Sequence, residues 1–307
     1  MTAIAASVRR AIDSDLFHSF RQSPVTVGAA IVAIVYILAA GLAPWIVPHN
    51  TYEVSNLNLS NAFLPPAWTQ DGKAAYLLGT DDQGRDVFST ILLGARVSLT
   101  VGVCAVLFAA TLGVTLGLIS GYVGGMVDSA IMRVADIMLS FPAILIALLI
   151  DGIARGVLPP ETHTRLSIYV LIASLGLSTW VQYARTVRAT TMVEKSKEYV
   201  MAARVIGIHP ALIMIRHVLP NVLGPVLVIA TIGLAVAVLS EATLSFLGVG
   251  VPPTQPSLGT LIRVGNNFLF SGEWWMAIFP GVALVILVLS VNLLGDWLRD
   301  ALNPKLR

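Results

Sequence analysis

The chain has 307 residues, of which 56% are hydrophobic and 12% charged, with a net charge of +2. A mean hydropathy of +0.82 and a charged share about half that of soluble domains exclude an ordinary soluble globule and indicate a polytopic membrane protein. The lone Cys104 lies in an apolar run, which excludes a disulfide framework or a thiol metal site within the chain.

Residues 1–24 form a polar tail carrying Arg9, Arg10 and Arg21. The apolar stretch 25–47 exceeds a signal-peptide core of about 7–15 residues and fits the roughly 20 residues that cross a bilayer. It is read as the first membrane helix; a cleaved signal ending near Ala39-Ala40-Gly41 is the alternative. Residues 48–95 form a turn-rich loop of a length that compact proteins rarely keep without a use. Within it, Asp81, Asp82 and Asp86 with Arg85 could hold a metal, but a solvated loop held by side-chain-to-backbone bonds and ion pairing is the preferred reading.

Residues 96–295 supply five more helices. The second runs about Ser98 to Ile119, where Gly102, Gly113 and Gly117 would let another helix approach closely. The third, about Ile131 to Ile150, is kinked at Phe141-Pro142. Arg133 and Asp136 near its start are three apart and can pair on one face. Ionisable groups at a membrane boundary are functional candidates by default, so both also stand as candidate path or gate residues. The fourth helix covers about Leu166 to Val181 and the fifth about Val222 to Leu239. Glu241 follows the fifth; it should face the protein interior, either lining a path near an outer gate or serving as a buried partner. Three prolines between Val251 and Ser257 exclude regular helix there. The sixth helix spans about Trp275 to Leu294, with Trp274 and Trp275 as interfacial anchors, and residues 296–307 form a C-terminal tail.

Between the fourth and fifth helices, residues 195–221 carry the densest polar pattern. Tyr199, Ala202, Ala203 and Ile206 recur at helical spacing after Glu198. Gly207 suits a left-handed C-terminal position, Pro210 opens a second short helix, and Pro220 is expected to end it. The result is helix, sharp turn, helix. Ala202 and Ala203 form a face of little bulk that a partner's backbone can approach.

Ala202, Ala203, Gly207, Leu219 and Pro220 fall on the spacing of the EAA loop of membrane subunits of ATP-binding-cassette (ABC) importers, which this stretch resembles. Met201 stands where that pattern has Glu, and His217 where it has an apolar residue. The ending Arg216 to Asn221, the run Gly79 to Leu99, the run Arg133 to Pro142 and the C-terminus are similar to the dipeptide, oligopeptide and nickel branch. The resemblance implies an all-α membrane protein with the six-helix type I importer permease fold. It implies an ATPase-coupling loop built from Glu198, Ala202, Ala203, Gly207, His217, Leu219 and Pro220. It further implies a second homologous permease, two ATPase subunits that carry ATP and Mg, an extracytoplasmic binding protein, surrounding membrane lipid and no nucleic acid. The chain itself would be non-catalytic, with no cofactor of its own, in a bacterial inner membrane.

The sequence agrees on two counts. No Gly-rich phosphate loop occurs, since Gly72-Lys73 is followed by Ala74, so nucleotide chemistry must come from another polypeptide. With both termini cytoplasmic, thirteen of the nineteen Lys and Arg lie on the inside, which places 48–95 outside and 195–221 inside. Two other classes were weighed. An intramembrane hydrolase needs a nucleophile and base at one depth, yet all five histidines fall in expected loops or tails. A passive channel keeps the fold but leaves the 195–221 loop without a purpose.

Overall fold

The computed structural model describes residues 20–48, 59–252 and 255–301. Most of the N-terminal tail, residues 49–58 of the first loop, Pro253, Thr254 and residues 302–307 lie outside the described residues. Helix α1 (Pro24–Ile46) starts where Ser23 accepts a hydrogen bond from the Thr26 amide at 3.3 Å, with Pro24 in the first turn. Its buried residues are Thr26, Ala29, Ala33, Ala40 and Ala43, a stripe of small side chains at helical spacing. Its bulky residues, among them Ile31, Ile34, Val35 and Leu38, point outward. A membrane helix that seats by small residues packs by backbone proximity on that side and leaves its large apolar residues facing outward.

Helices α2 (Val87–Val123) and α5 (Pro160–Glu194) form the central pair. A Cβ added to Gly113, Gly117 or Gly121 would lie 2.5, 2.4 or 2.7 Å from the carbonyl oxygens of Trp180, Ala184 and Arg188. Glycines four apart on one helix thus meet carbonyls four apart on the other, and because both series ascend together the two helices are parallel. Each extends well past the membrane portion that hydropathy marks. In α2 the extension begins at Asp86, whose carboxylate accepts from the Ser89 amide at 2.9 Å and so starts the helix inside the stretch expected to be loop.

Parallel α2 and α5 require the chain to return between them. Helices α3 (Gly125–Leu139) and α4 (Ala143–Val157) do this, bent by 94° around Ser140 to Pro142. The expected kink is therefore a full break: Pro142 has no amide to donate and disfavours helical geometry at Phe141. Among the described residues five helices are long and apolar enough to span a bilayer, and the bent pair, taken as one span, brings the number to six.

After the short α6 (Glu198–Val205) and α7 (Pro210–Ile213) comes a π turn, Met214–Val218, that runs directly into α8 (Leu219–Phe246). Pro220 was expected to end a helix; it instead occupies the first turn of α8, where its missing amide costs nothing. The region from Pro210 to Phe246 is one continuous span. An irregular turn then leads to α9 (Leu258–Phe268), an amphipathic helix that sequence reading passed over, and to α10 (Trp275–Ala301). Gly102 faces Val238, so α8 rests on α2 by another close approach.

The contacts sort the loops onto two faces. Trp275 donates its indole N–H to the Thr80 carbonyl at 3.0 Å, which joins the 59–86 loop to the start of α10. On the opposite face Lys195 donates to the Gly121 carbonyl at 2.7 Å, and Phe20 meets Trp297 edge-on at 5.2 Å. The described chain ends and the 195–218 segment therefore share one face, and the long loop lies on the other.

Candidate functional site

Helix α6 opens with Glu198, exposed in the first turn, where its charge complements the helix dipole. It closes in a Schellman arrangement: the Gly207 amide donates to the Arg204 carbonyl at 3.0 Å and the Ile208 amide to the Ala203 carbonyl at 3.1 Å. Gly207 has φ of +84°, so the left-handed geometry expected there is present. His209 caps α7, its Nδ1 accepting from the Ala211 amide at 3.3 Å. The helix, sharp turn and helix thus stand as a compact knuckle, and Leu219 and Pro220 belong to the stem that carries it.

The two alanines part company. Ala202 is exposed, but Ala203 is buried among Val200, Ile213, Val218 and Val222. Its small side chain lets α6 settle on the π turn of its own chain; it does not present itself to a partner, as the sequence suggested. The outward surface is made instead by Met201, Val205 and Ile206, the last two 88% and 77% exposed.

Tyr199 ties this knuckle to its neighbours. Its hydroxyl donates to Glu194 at the end of α5 at 2.5 Å and accepts from Asn221 of α8 at 3.0 Å. Asn221 also donates to the His217 carbonyl at 2.7 Å, while the half-buried His217 side chain leaves its Nδ1 without a partner among the described residues. Desolvation and the Glu194 carboxylate push the Tyr199 phenol up to about 12. Arg204 lies over the Tyr122 ring, 5.0 Å from its centre, at the end of α2. Sequence spacing contained Tyr199 only as an apolar periodic position.

The expected Arg133–Asp136 pair does not form. Asp136 meets Arg185 of α5 at 2.5 Å, and Arg133 is exposed with no ion pair among the described residues. Three-residue spacing makes a local pair possible, but the packed neighbour offers a better-aimed guanidinium. Glu241 is fully enclosed, as expected for an inward-facing group. Its Oε1 accepts from Ser245 at 2.7 Å, and the buried Ser98 and Ser257 hydroxyls are close enough to act on the carboxyl. Ser98 also accepts from the Leu258 amide at 3.3 Å, so this polar nest fastens α9 to α2 and α8.

A second acidic cluster was missed. Asp151 in α4 is buried, 2.6 Å from Arg155 and 3.4 Å from His163, which the structure places inside α5 and not in a loop. Arg155 also reaches the Gly248 carbonyl at 3.3 Å. In the 59–86 loop Asp81 accepts from the Gln83 and Arg85 amides at 2.9 and 2.8 Å and pairs with the Arg85 side chain at 2.5 Å. That is the local scaffold of side-chain-to-backbone bonds and ion pairing expected from the sequence. Between α2, α5 and α8 a cleft carries Thr179, Gln182 and Ser240 among apolar walls.

Helix order, close-packed glycines and the protruding knuckle define an importer permease. Residues 113–307 match the binding-protein-dependent transport system inner membrane component family, and residues 14–66 match the N-terminal membrane domain of oligopeptide transport permease C. The chain belongs to this family. It is 40% identical over 305 residues to the dipeptide transport system permease protein DppC of Escherichia coli K12, covering 99% of this chain and 97% of that one. It is 39% identical to the DppC of Haemophilus influenzae, covering 95% of each. A di/tripeptide permease DppC of Pseudomonas aeruginosa is 35% identical, over 95% and 92% of the two chains. Among solved structures, a chain of the inward-facing MetNI methionine ABC transporter superposes with a TM-score of 0.55 at 21% identity, covering 70% of this chain and 97% of that one, which shows a shared fold. The protein is accordingly a multi-pass inner-membrane permease subunit of an ABC importer and a non-catalytic component of it.

Proposed function

We propose that this chain forms half of a path for dipeptides and short oligopeptides, and that its knuckle receives the mechanical input of ATP-driven subunits. The substrate class rests on the peptide-permease relatives over nearly the whole chain. The Thr179, Gln182 and Ser240 cleft is the polar strip that such a cargo would pass. The other half of the path is a second homologous permease, and an extracytoplasmic binding protein delivers the peptide to the face carrying residues 59–86. ATP and Mg reside on two ATPase subunits on the opposite face, which is the cytoplasmic one, with both termini.

The observation that carries the coupling role is the exposed apolar pair Val205 and Ile206, held rigid by the Gly207 turn and the Tyr199 bonds. With the exposed Met201 beside them they form an apolar patch of the kind that marks an interaction surface. Ile206→Asp should leave the permease at normal membrane abundance and abolish co-purification of the ATPases in mild detergent. Retention of the ATPases together with normal peptide uptake would overturn the coupling role.

A further inference from the structure

Arg96 lies in the third turn of α2, on the same side of the molecule as the 59–86 loop. Its side chain is exposed and makes no hydrogen bond or ion pair among the described residues. It stands where two cavities meet. One is small and includes Thr100 and Gln255. The other is a groove of about 410 Å³ that descends between α1, α2 and α8, past Val103 and Cys104, to Ile37 and Leu234. Arg96, Thr100 and the Val103–Cys104 position recur at helical spacing and form one stripe of α2, cationic and polar above and apolar below.

A guanidinium without a counter-ion at the edge of a bilayer sits at headgroup level, where an anion can pair with it. The groove is open at its rim, where Ile37 and Val103 are 50% and 41% exposed. Its walls suit hydrocarbon, and among the described residues no carboxylate lines it to receive an ammonium, so a peptide with both termini charged is poorly matched. An anion with a long apolar tail matches both halves.

We propose that this groove binds one phospholipid, its phosphate on Arg96 with Thr100 and Gln255 beside it, and one acyl chain lying along Val103, Cys104, Ile37 and Leu234. A planar guanidinium meets a phosphate through two parallel N–H···O bonds, which gives the head a fixed seat. A net-anionic headgroup is favoured over a zwitterionic one with the same chains. The occupant fills the space between α1 and the α2–α8 pair and so steadies the seat of α1. This site is separate from the cleft and the knuckle, and no part of it depends on the identity of the cargo.

The assembled transporter, delipidated in detergent and titrated with phosphatidylglycerol, tests this by native mass spectrometry. Phosphatidylethanolamine of the same chains, inorganic phosphate and a dipeptide serve as the other arms. One phosphatidylglycerol should be held more tightly than phosphatidylethanolamine, and Arg96→Gln should weaken it on the order of tenfold, with Arg96→Lys intermediate. Val103→Trp, which fills the groove, should weaken both lipids alike. The proposal is overturned if Arg96→Gln holds the lipid as tightly as the unaltered protein. Displacement by inorganic phosphate at equal concentration would leave a bare anion site, and displacement by the dipeptide would assign the groove to the transport path; either also overturns it. Should Arg96→Gln fail to assemble, the Val103→Trp arm decides: unchanged lipid retention there overturns the proposal.

Discussion

Asp128 of α3 grips Arg188 of α5 with both carboxylate oxygens, Oδ1 at 2.5 Å from Nε and Oδ2 at 2.6 Å from Nη2, across sixty positions of sequence. The Ser120 hydroxyl of α2 donates to the same carboxylate, so one acid joins three helices at the face that carries the knuckle. The side chains are only 16% and 32% exposed. Asp128→Asn should therefore lower stability by about 1.5–3 kcal/mol, read as thermal unfolding in detergent. A double-mutant cycle with Arg188→Gln should show strong coupling; additive effects would mean that the pair contributes nothing specific.

Substitutions on the two faces of α6 should have different outcomes. Ala203→Asp buries an unpaired carboxylate among Val200, Ile213 and Val218, at a cost of about 2 kcal/mol or more. Its expected phenotype is reduced membrane abundance, unlike the Ile206→Asp protein, which should accumulate normally but fail to hold ATPases. Normal abundance of Ala203→Asp would show that α6 does not pack as described.

At Gly207 an added Cβ would meet no heavy atom within 4 Å, so the cost of substitution is backbone strain alone. Gly207→Val should lose about 1–2 kcal/mol locally and weaken coupling, whereas Gly207→Asn should retain most of it, because Asn tolerates left-handed geometry. ATPase activity stimulated by the loaded binding protein is the readout, and equal loss in the two variants would point to a steric cause.

Gly117 presents the opposite case, with the Ala184 carbonyl 2.4 Å from an added Cβ. Gly117→Val must push α2 and α5 apart and should abolish accumulation of the folded subunit. Gly152→Ala, where nothing lies within 4 Å, should be silent in the same expression assay.

The Tyr199 phenol, raised to about 12, gives the knuckle an alkaline limit. Its folded-state value lies above the ordinary phenol value near 10, so its contribution is intact below pH 10 and is lost as pH rises through about 12. Tyr199→Phe should weaken ATPase retention modestly at neutral pH and remove the part of the alkaline dependence that arises here. An unchanged alkaline profile in Tyr199→Phe would assign that dependence elsewhere.

The membrane helices were legible because a bilayer imposes length and polarity on any segment that crosses it, and the Gly207 turn was legible because a left-handed residue at a helix end favours glycine. Partner choice was not. Arg133 and Asp136 satisfy helical spacing, but Asp136 selects Arg185 from another helix, a contact that exists only after α3 packs on α5. Pro220 was read as a stop because a proline ends most helices, yet the preceding π turn delivers it as a first-turn residue. Ala203 could not be oriented from sequence, since its burial depends on the curl of α7 back onto α6. The Asp151 and His163 cluster was hidden because hydropathy begins α5 too late, leaving His163 apparently in a loop.

The unbroken run from Pro210 to Phe246 is about 55 Å long at 1.5 Å per residue. It begins at the knuckle and, near its far end, holds Glu241 in the serine nest that fastens α9. The chain thus possesses a pushrod: a displacement applied at His209 or Pro210 need not be relayed through a succession of side chains. One continuous backbone links the knuckle to the Glu241 nest. The π turn at its knuckle end, whose hydrogen bonds span five residues where those of the helix above it span four, is where that rod departs from regular helix.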